Sequence, residues 1–97
     1  MIAFDPTSAL AYYYRGICNF ELEDFMSSIE DYSKAIELQG DFAKAYYNRG
    51  TSKFHLTLVE DAIADIKTAQ DIFKKQNDSE AVKKCAESLD ELSEALK

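Results

Sequence analysis

Few side chains in this sequence could do chemistry, and they are scattered. There is one histidine, His55, and two cysteines, Cys18 and Cys85. A metal site needs several such ligands at short spacings, and no Cys or carboxylate stands three or four residues from His55. A solvated histidine at the end of a helix is expected, with no metal and no cofactor. The cysteines form no CxxC pair and are too few for a disulfide framework, so reduced thiols are expected. The carboxylates cluster as Glu21, Glu23 and Asp24, and again as Glu60, Asp61 and Asp65. Such groups could bind calcium or move protons. Here they read as residues of turns and helix N-termini, where they oppose the positive end of the helix dipole. No phosphate-cradling glycine loop, no GxSxG and no HExxH occurs. The expectation is therefore a protein that is not an enzyme.

Composition narrows the alternatives. At 97 residues the chain holds one small domain at most and no broad enclosed cavity. Eighteen acidic against 11 basic residues give a net charge of −7, which argues against nucleic acid and against anionic membrane surfaces. No apolar run reaches the roughly 18 residues of a membrane span. Residues 1–6 lack the basic start and apolar stretch of a signal peptide, so a cytoplasmic location is expected. One proline and three glycines are too few for a turn-rich all-β domain. Six Tyr and six Phe are many for so small a core, so some must face outward.

The elements that carry these residues repeat. Shifted by 34 residues, Ala9, Ala11, Tyr12, Tyr13, Arg15 and Gly16 recur as Ala43, Ala45, Tyr46, Tyr47, Arg49 and Gly50. Phe20, Leu22, Ile29, Asp31 and Ala35 likewise recur as Phe54, Leu56, Ile63, Asp65 and Ala69. A period of this length marks a repeat architecture. Within each period the apolar residues follow helical spacing, interrupted once, so each unit is a pair of helices joined by a tight turn. Helices are expected near 8–21, 24–38, 42–55 and 59–76. Gly40 is expected to cap the second helix and Asp41 to start the third. Asn77 and Glu80 are spaced as a capping box for a fifth helix with a narrow seam of Val82, Cys85, Leu89, Leu92 and Leu96. That helix reads as a cap over the last unit; a seam between two copies is the alternative.

These residues resemble the tetratricopeptide repeat family. Its pattern places a large aromatic (Tyr12, Tyr46), a Gly four residues on (Gly16, Gly50), then a small residue (Ser28, Ala62). A bulky residue (Tyr32, Ile66) and a final Ala (Ala35, Ala69) complete it. The unit-ending proline of the family is present only as Pro6, with Gly40 and Lys74 in its later places. The resemblance implies an all-α, right-handed superhelical stack of antiparallel helix pairs, an α-solenoid of five helices. It divides the chain into the tail of a preceding repeat (1–7), repeats at 8–41 and 42–77, and a C-terminal capping helix (78–97). Small Gly16 and Ala35 allow the paired helices to cross closely, with Tyr12 filling the space beside them. Cys18 falls at a position the family keeps small and buried, with Ser52 as its counterpart, so a packed, inert thiol is expected.

The resemblance also implies what the chain does. In this family the first helix of each unit lines a concave face that takes an extended peptide or a partner helix. The matching residues here are Tyr13, Tyr14, Ile17 and Phe20 from the first unit, and Lys44, Tyr47, Asn48, Thr51 and Phe54 from the second. Leu10, Glu21 and His55 also resemble groove-lining residues of the family. Tyr12 and Tyr46 have the core role, which turns Tyr13 and Tyr47 about 100° toward the groove. Phe20 and Phe54 either join the groove or pack between units. Some members clamp the acidic C-termini of chaperones with Lys and Asn. Lys44 and Asn48 fit part of that pattern, but Tyr13 and Ile17 stand where the clamp needs Lys and Asn. The expected function is a non-catalytic protein–protein interaction scaffold whose partners are neutral to basic proteins or peptides, not nucleic acid or membrane. The alternative is a module that self-associates through exposed repeat ends. Two units and a cap fall short of the usual three, so the chain reads as part of a longer array or as a short protein completed by self-association. Either way, the outer face of helix 8–21, with Leu10, Ala11, Tyr14 and Cys18, is expected to lie partly bare.

Overall fold

The computed structural model describes residues 4–97 and consists of five helices: α1 (Ala9–Glu21), α2 (Phe25–Leu38), α3 (Ala43–His55), α4 (Val59–Lys75) and α5 (Ser79–Ala95). There is no strand among the described residues. Each helix begins and ends within about a residue or two of its expected bounds. Residues 1–3 of the expected N-terminal tail lie outside the described residues. Its remainder forms a turn in which the Thr7 amide and hydroxyl both donate to Asp5 Oδ1, at 2.9 and 2.7 Å. Consecutive helices pack on one another through connections of three or four residues, which forces antiparallel neighbours. The result is an all-α helical repeat stack, 44 Å along its longest axis and 19 Å along its shortest.

The helix ends follow a rule that the caps foreseen from sequence only partly capture. Three helices close on a non-glycine residue in the left-handed region: Glu23 after α1, Thr57 after α3 and Asn77 after α4. In each case the next amide reaches back across the turn, as Asp24 N to Asn19 O at 2.9 Å, Leu58 N to Lys53 O at 2.9 Å and Asp78 N to Phe73 O at 3.0 Å. Asn77 is therefore the terminator of α4, not the N-cap of α5. Asp78 takes that cap, accepting from Ala81 N at 3.1 Å. Ser8 and Asp24 cap α1 and α2 in the same way.

The α2–α3 junction also departs from expectation. Gly40 has no positive φ and open space around it, so it is not a left-handed cap, and the C-cap is Gln39. Phe42, not Asp41, occupies the N-cap position, and no side chain bonds there. Burial of the Phe42 ring fixes the entry to α3 instead of a polar cap.

The core forms in layers between successive helices. Ala35, Phe42 and Ala45 make one cluster, with Tyr12 and Tyr13 packed on it. Ala43, Ala62, Ile66, Ala69, Phe73, Cys85 and Leu92 make the second. Small residues set the distances. A β-carbon on Gly16 would come within 2.7 Å of the Tyr32 ring, and one on Gly50 within 2.9 Å of Ile66 and 3.0 Å of the Ala62 carbonyl oxygen. The space directly against Gly16 is thus filled by Tyr32, while Tyr12 packs beside Ala35 on the first cluster. Tyr12 is half-buried and holds Phe4 edge-on at 4.8 Å.

Each unit is pinned by an arginine–aspartate fork between its two helices. Arg15 Nε and Nη2 donate to Asp31 at 3.0 and 2.7 Å, and Arg49 repeats this with Asp65 at 2.8 and 2.8 Å. Lys53 adds a further contact to Asp65 at 3.0 Å. Asp65 is therefore a buried structural anion within α4, not the residue of a helix N-terminus expected from sequence. Glu60 and Asp61 do occupy the first turn of that helix.

Candidate functional site

Three helices bring the candidate residues together: α1, α3 and, unforeseen, α5. The Tyr13 ring lies against Phe42 at 4.8 Å, and its hydroxyl accepts a hydrogen bond from Asn48 Nδ2 at 3.2 Å. This bond ties the first helices of the two units together across the surface. Burial pushes the Tyr13 pKa above its ordinary value, partly offset by the Asn48 bond. The Tyr47 hydroxyl pairs with Ser88 Oγ of α5 at 2.6 Å, and Lys84 Nζ sits 5.4 Å from the centre of the Tyr47 ring.

Around Tyr47 lie three depressions. One, of about 280 Å³, is lined by Tyr13, Lys44, Tyr47 and Asn48, and by Phe73, Asp78, Ala81 and Lys84. The second, of about 400 Å³, shares Tyr47, Asn48 and Lys84 with the first and adds Ile17, Phe20, Glu21, Tyr32 and Thr51. A third, of about 150 Å³, holds Phe54 with Thr51 and Tyr47, and Ile66, Ser88, Glu91 and Leu92 beside them. Eight of the nine residues expected to bind a partner therefore line this connected surface. Tyr14 does not. It is 59% exposed, with its ring 5.5 Å from that of Tyr13, and lines none of the three.

Phe20 and Phe54, alike in the period, differ in place. Phe20 packs edge-on against Phe25 at 5.3 Å while also lining the second depression, whereas Phe54 is 41% exposed. His55 is exposed but not merely solvated, because its ring stacks on Phe25 at 4.6 Å with planes 4° apart. Cys18 is exposed, as the partly bare outer face of this helix requires and contrary to the packed thiol implied by the family position, while its counterpart Ser52 is fully buried beneath α2. No helix among the described residues lies on α1 as α2 lies on α3, which is the physical reason for the difference.

Sequence reasoning missed Lys84, Ser88 and Glu91. They follow helical spacing of four and three along α5, beside its buried seam of Cys85 and Leu92. That flank was readable as one polar stripe, but nothing in the sequence says which neighbour it faces. Among the described residues, no group of three or more His, Cys, Asp or Glu could hold a metal ion. No described helix is long and apolar enough to cross a membrane.

The fold and surface define a helical-repeat stack with an aromatic, mixed-charge depression. Residues 9–42 match the family model for the tetratricopeptide repeat. No curated protein matches the sequence. Among solved structures, the first TPR of Spaghetti (RPAP3), bound to the HSP90 peptide SRMEEVD, is 28% identical with a TM-score of 0.81. The match covers 95% of this chain and 68% of that one. The TPR2B domain of yeast Sti1, in its pHsp70 complex, is 22% identical with a TM-score of 0.88, covering 93% and 72%. A tetratricopeptide repeat domain protein from Salinibacter ruber is 14% identical with a TM-score of 0.82, covering 91% and 89%. The last two show a shared fold alone.

Proposed function

We propose that the chain is a non-catalytic protein-interaction module that holds an extended peptide or a partner helix in the surface between α1, α3 and α5. The observation that carries this reading is the position of Tyr47, which borders all three depressions. A tyrosine fixed by Ser88 loses little freedom on binding and offers a large contact face. Asn48 can hold a peptide backbone, since an amide both donates and accepts. The 28% identical structure bound to an HSP90 peptide supports a peptide as ligand. In this reading 8–41 and 42–77 are the repeat units and 78–97 is their cap. A reducing, cytoplasmic setting accords with the free, exposed thiol of Cys18.

The net charge of −7 favours neutral or basic segments at long range. Lys44 and Lys84 in the first depression oppose that preference locally, with Asp78 beside them and Glu21 in the second. Short extended peptides of neutral, basic and acidic sequence, SRMEEVD among them, separate the two influences by titration calorimetry. Tighter binding of the neutral and basic peptides supports the long-range preference. Tightest binding of the acidic peptide, lost in Lys44→Ala and Lys84→Ala, assigns control to the local lysines. For whichever peptide binds, Tyr47→Ala is expected to weaken affinity by at least about tenfold. Unchanged affinity in a Tyr13→Ala/Tyr47→Ala double variant of native helicity removes the surface from consideration.

A further inference from the structure

The contact between α2 and α3 has two relatives in this chain, one occupied and one bare. On α3, Ala45 and Ser52 are fully buried under α2, where Ala35 packs near Ala45 and Ser28 Oγ bonds Ser52 Oγ at 2.8 Å. On α5, Cys85 and Leu92 have the same spacing and lie buried against α4. The α4 residues Ala62 and Ala69 are the 34-residue counterparts of Ser28 and Ala35. On α1, Ala11 and Cys18 are the counterparts of Ala45 and Ser52, but no described helix covers them. Cys18 is exposed, and the adjacent Leu10 and Tyr14 are 53% and 59% exposed. Thus α4 carries, under α5, the surface that α2 turns to α3, and α1 carries the bare surface on which such a helix sits.

We propose that α5 is a displaceable cap, and that when it opens, α4 of one copy docks head to tail on α1 of a second copy. The occupant follows from the repeat. Ala62 meets Cys18 of the second copy where Ser28 meets Ser52, and Ile66 meets Tyr14 where Tyr32 faces Asn48. At both places a polar pair in the α2–α3 contact becomes an apolar pair in the new one, so the two changed surfaces suit each other. One pairing opposes it. Lys67 replaces Ser33, which accepts from Arg49 at 3.1 Å, and so faces Arg15. Two chains of charge −7 also repel. Both terms weaken with salt, so added salt strengthens the association. The contact joins different faces of the two copies and leaves one α1 and one α4 face unpaired at the ends, so further copies add in the same way. Because α5 is tethered to α4, its effective concentration is on the order of millimolar, and the capped monomer dominates in dilute solution.

The two cysteines read the exchange in the unmodified chain. Alkylation of Cys18 is expected to slow, and that of Cys85 to quicken, as protein concentration rises. Leu92→Glu, which loosens α5, is expected to lower the concentration needed by at least tenfold, measured by sedimentation velocity. Adding Ala11→Glu should return that variant to a monomer. Rates independent of concentration overturn the proposal, as does slowing at Cys18 without quickening at Cys85, since the copies then meet with the cap in place. Association that survives Ala11→Glu overturns it too. If Leu92→Glu does not fold, the cysteine series on the unmodified chain decides alone.

Discussion

At the scale of single residues, the two arginine–aspartate forks are alike in geometry and unlike in surroundings. The Arg15 side chain is 49% exposed, whereas those of Arg49 and Lys53, which share Asp65, are 19% and 18% exposed. Both aspartates are buried, and solvent reaches the first pair mainly from the Arg15 side, so it screens that pair more than the second. Asp65→Ala is therefore expected to cost about 3 kcal/mol in urea unfolding, and Asp31→Ala about 1 kcal/mol. The Asp65 fork also raises the Arg49 pKa, chiefly through its hydrogen bonds. Tyrosines set the alkaline limit. Burial raises Tyr13 and Tyr32 above the ordinary value near 10. Their folded forms hold the proton longer than the unfolded chain does. This contribution to stability is complete below about pH 10 and is lost as pH rises through the folded-state values. Thermal melts across that range, with tyrosinate absorbance followed in parallel, should show stability falling above about pH 10. Tyr13→Phe should lessen the slope. The forks were half legible: Arg15, Arg49, Asp31 and Asp65 all recur with the period, but spacing alone does not reveal that they pair.

Among the elements, the helix ends hold the most local strain. Thr57 is β-branched and adopts φ of 63° at the end of α3, a conformation that costs L-residues about 1–2 kcal/mol. Glycine has no such penalty there, so Thr57→Gly is expected to raise stability by about 1 kcal/mol by calorimetry. Gly50→Ala should act in the opposite direction despite the better helix propensity of alanine. Its new methyl would meet the Ala62 carbonyl, which cannot move without α4 moving, and a loss of about 1–3 kcal/mol is expected. The helices themselves were legible because a 3.6-residue apolar rhythm needs only local sequence. The caps were less so. Phe42 starts α3 because its ring is buried, and burial is a property of the packed neighbours rather than of the segment.

For the whole molecule, the two ends of the stack differ in kind. At one end α5 buries Cys85, raising its thiol pKa by desolvation; at the other Cys18 lies open. In dilute native protein a thiol reagent should modify Cys18 rapidly and Cys85 only at the rate at which α5 opens, a contrast that mass spectrometry reads directly. The 34-residue period, the five helices, the small residues at the crossings and most of the α1 and α3 residues that line the depressions around Tyr47 were determined by the sequence alone. Those features arise from residues whose spacing is fixed along one helix or repeated from one unit to the next. Only the tertiary structure decided that Tyr32 lies directly against Gly16 and that Lys84 and Ser88 border the Tyr47 surface. Each depends on which helix lies opposite, and α5 follows no repeat that could announce its neighbour. A period fixes what a unit is made of; the faces that meet across units depend on where each helix comes to rest.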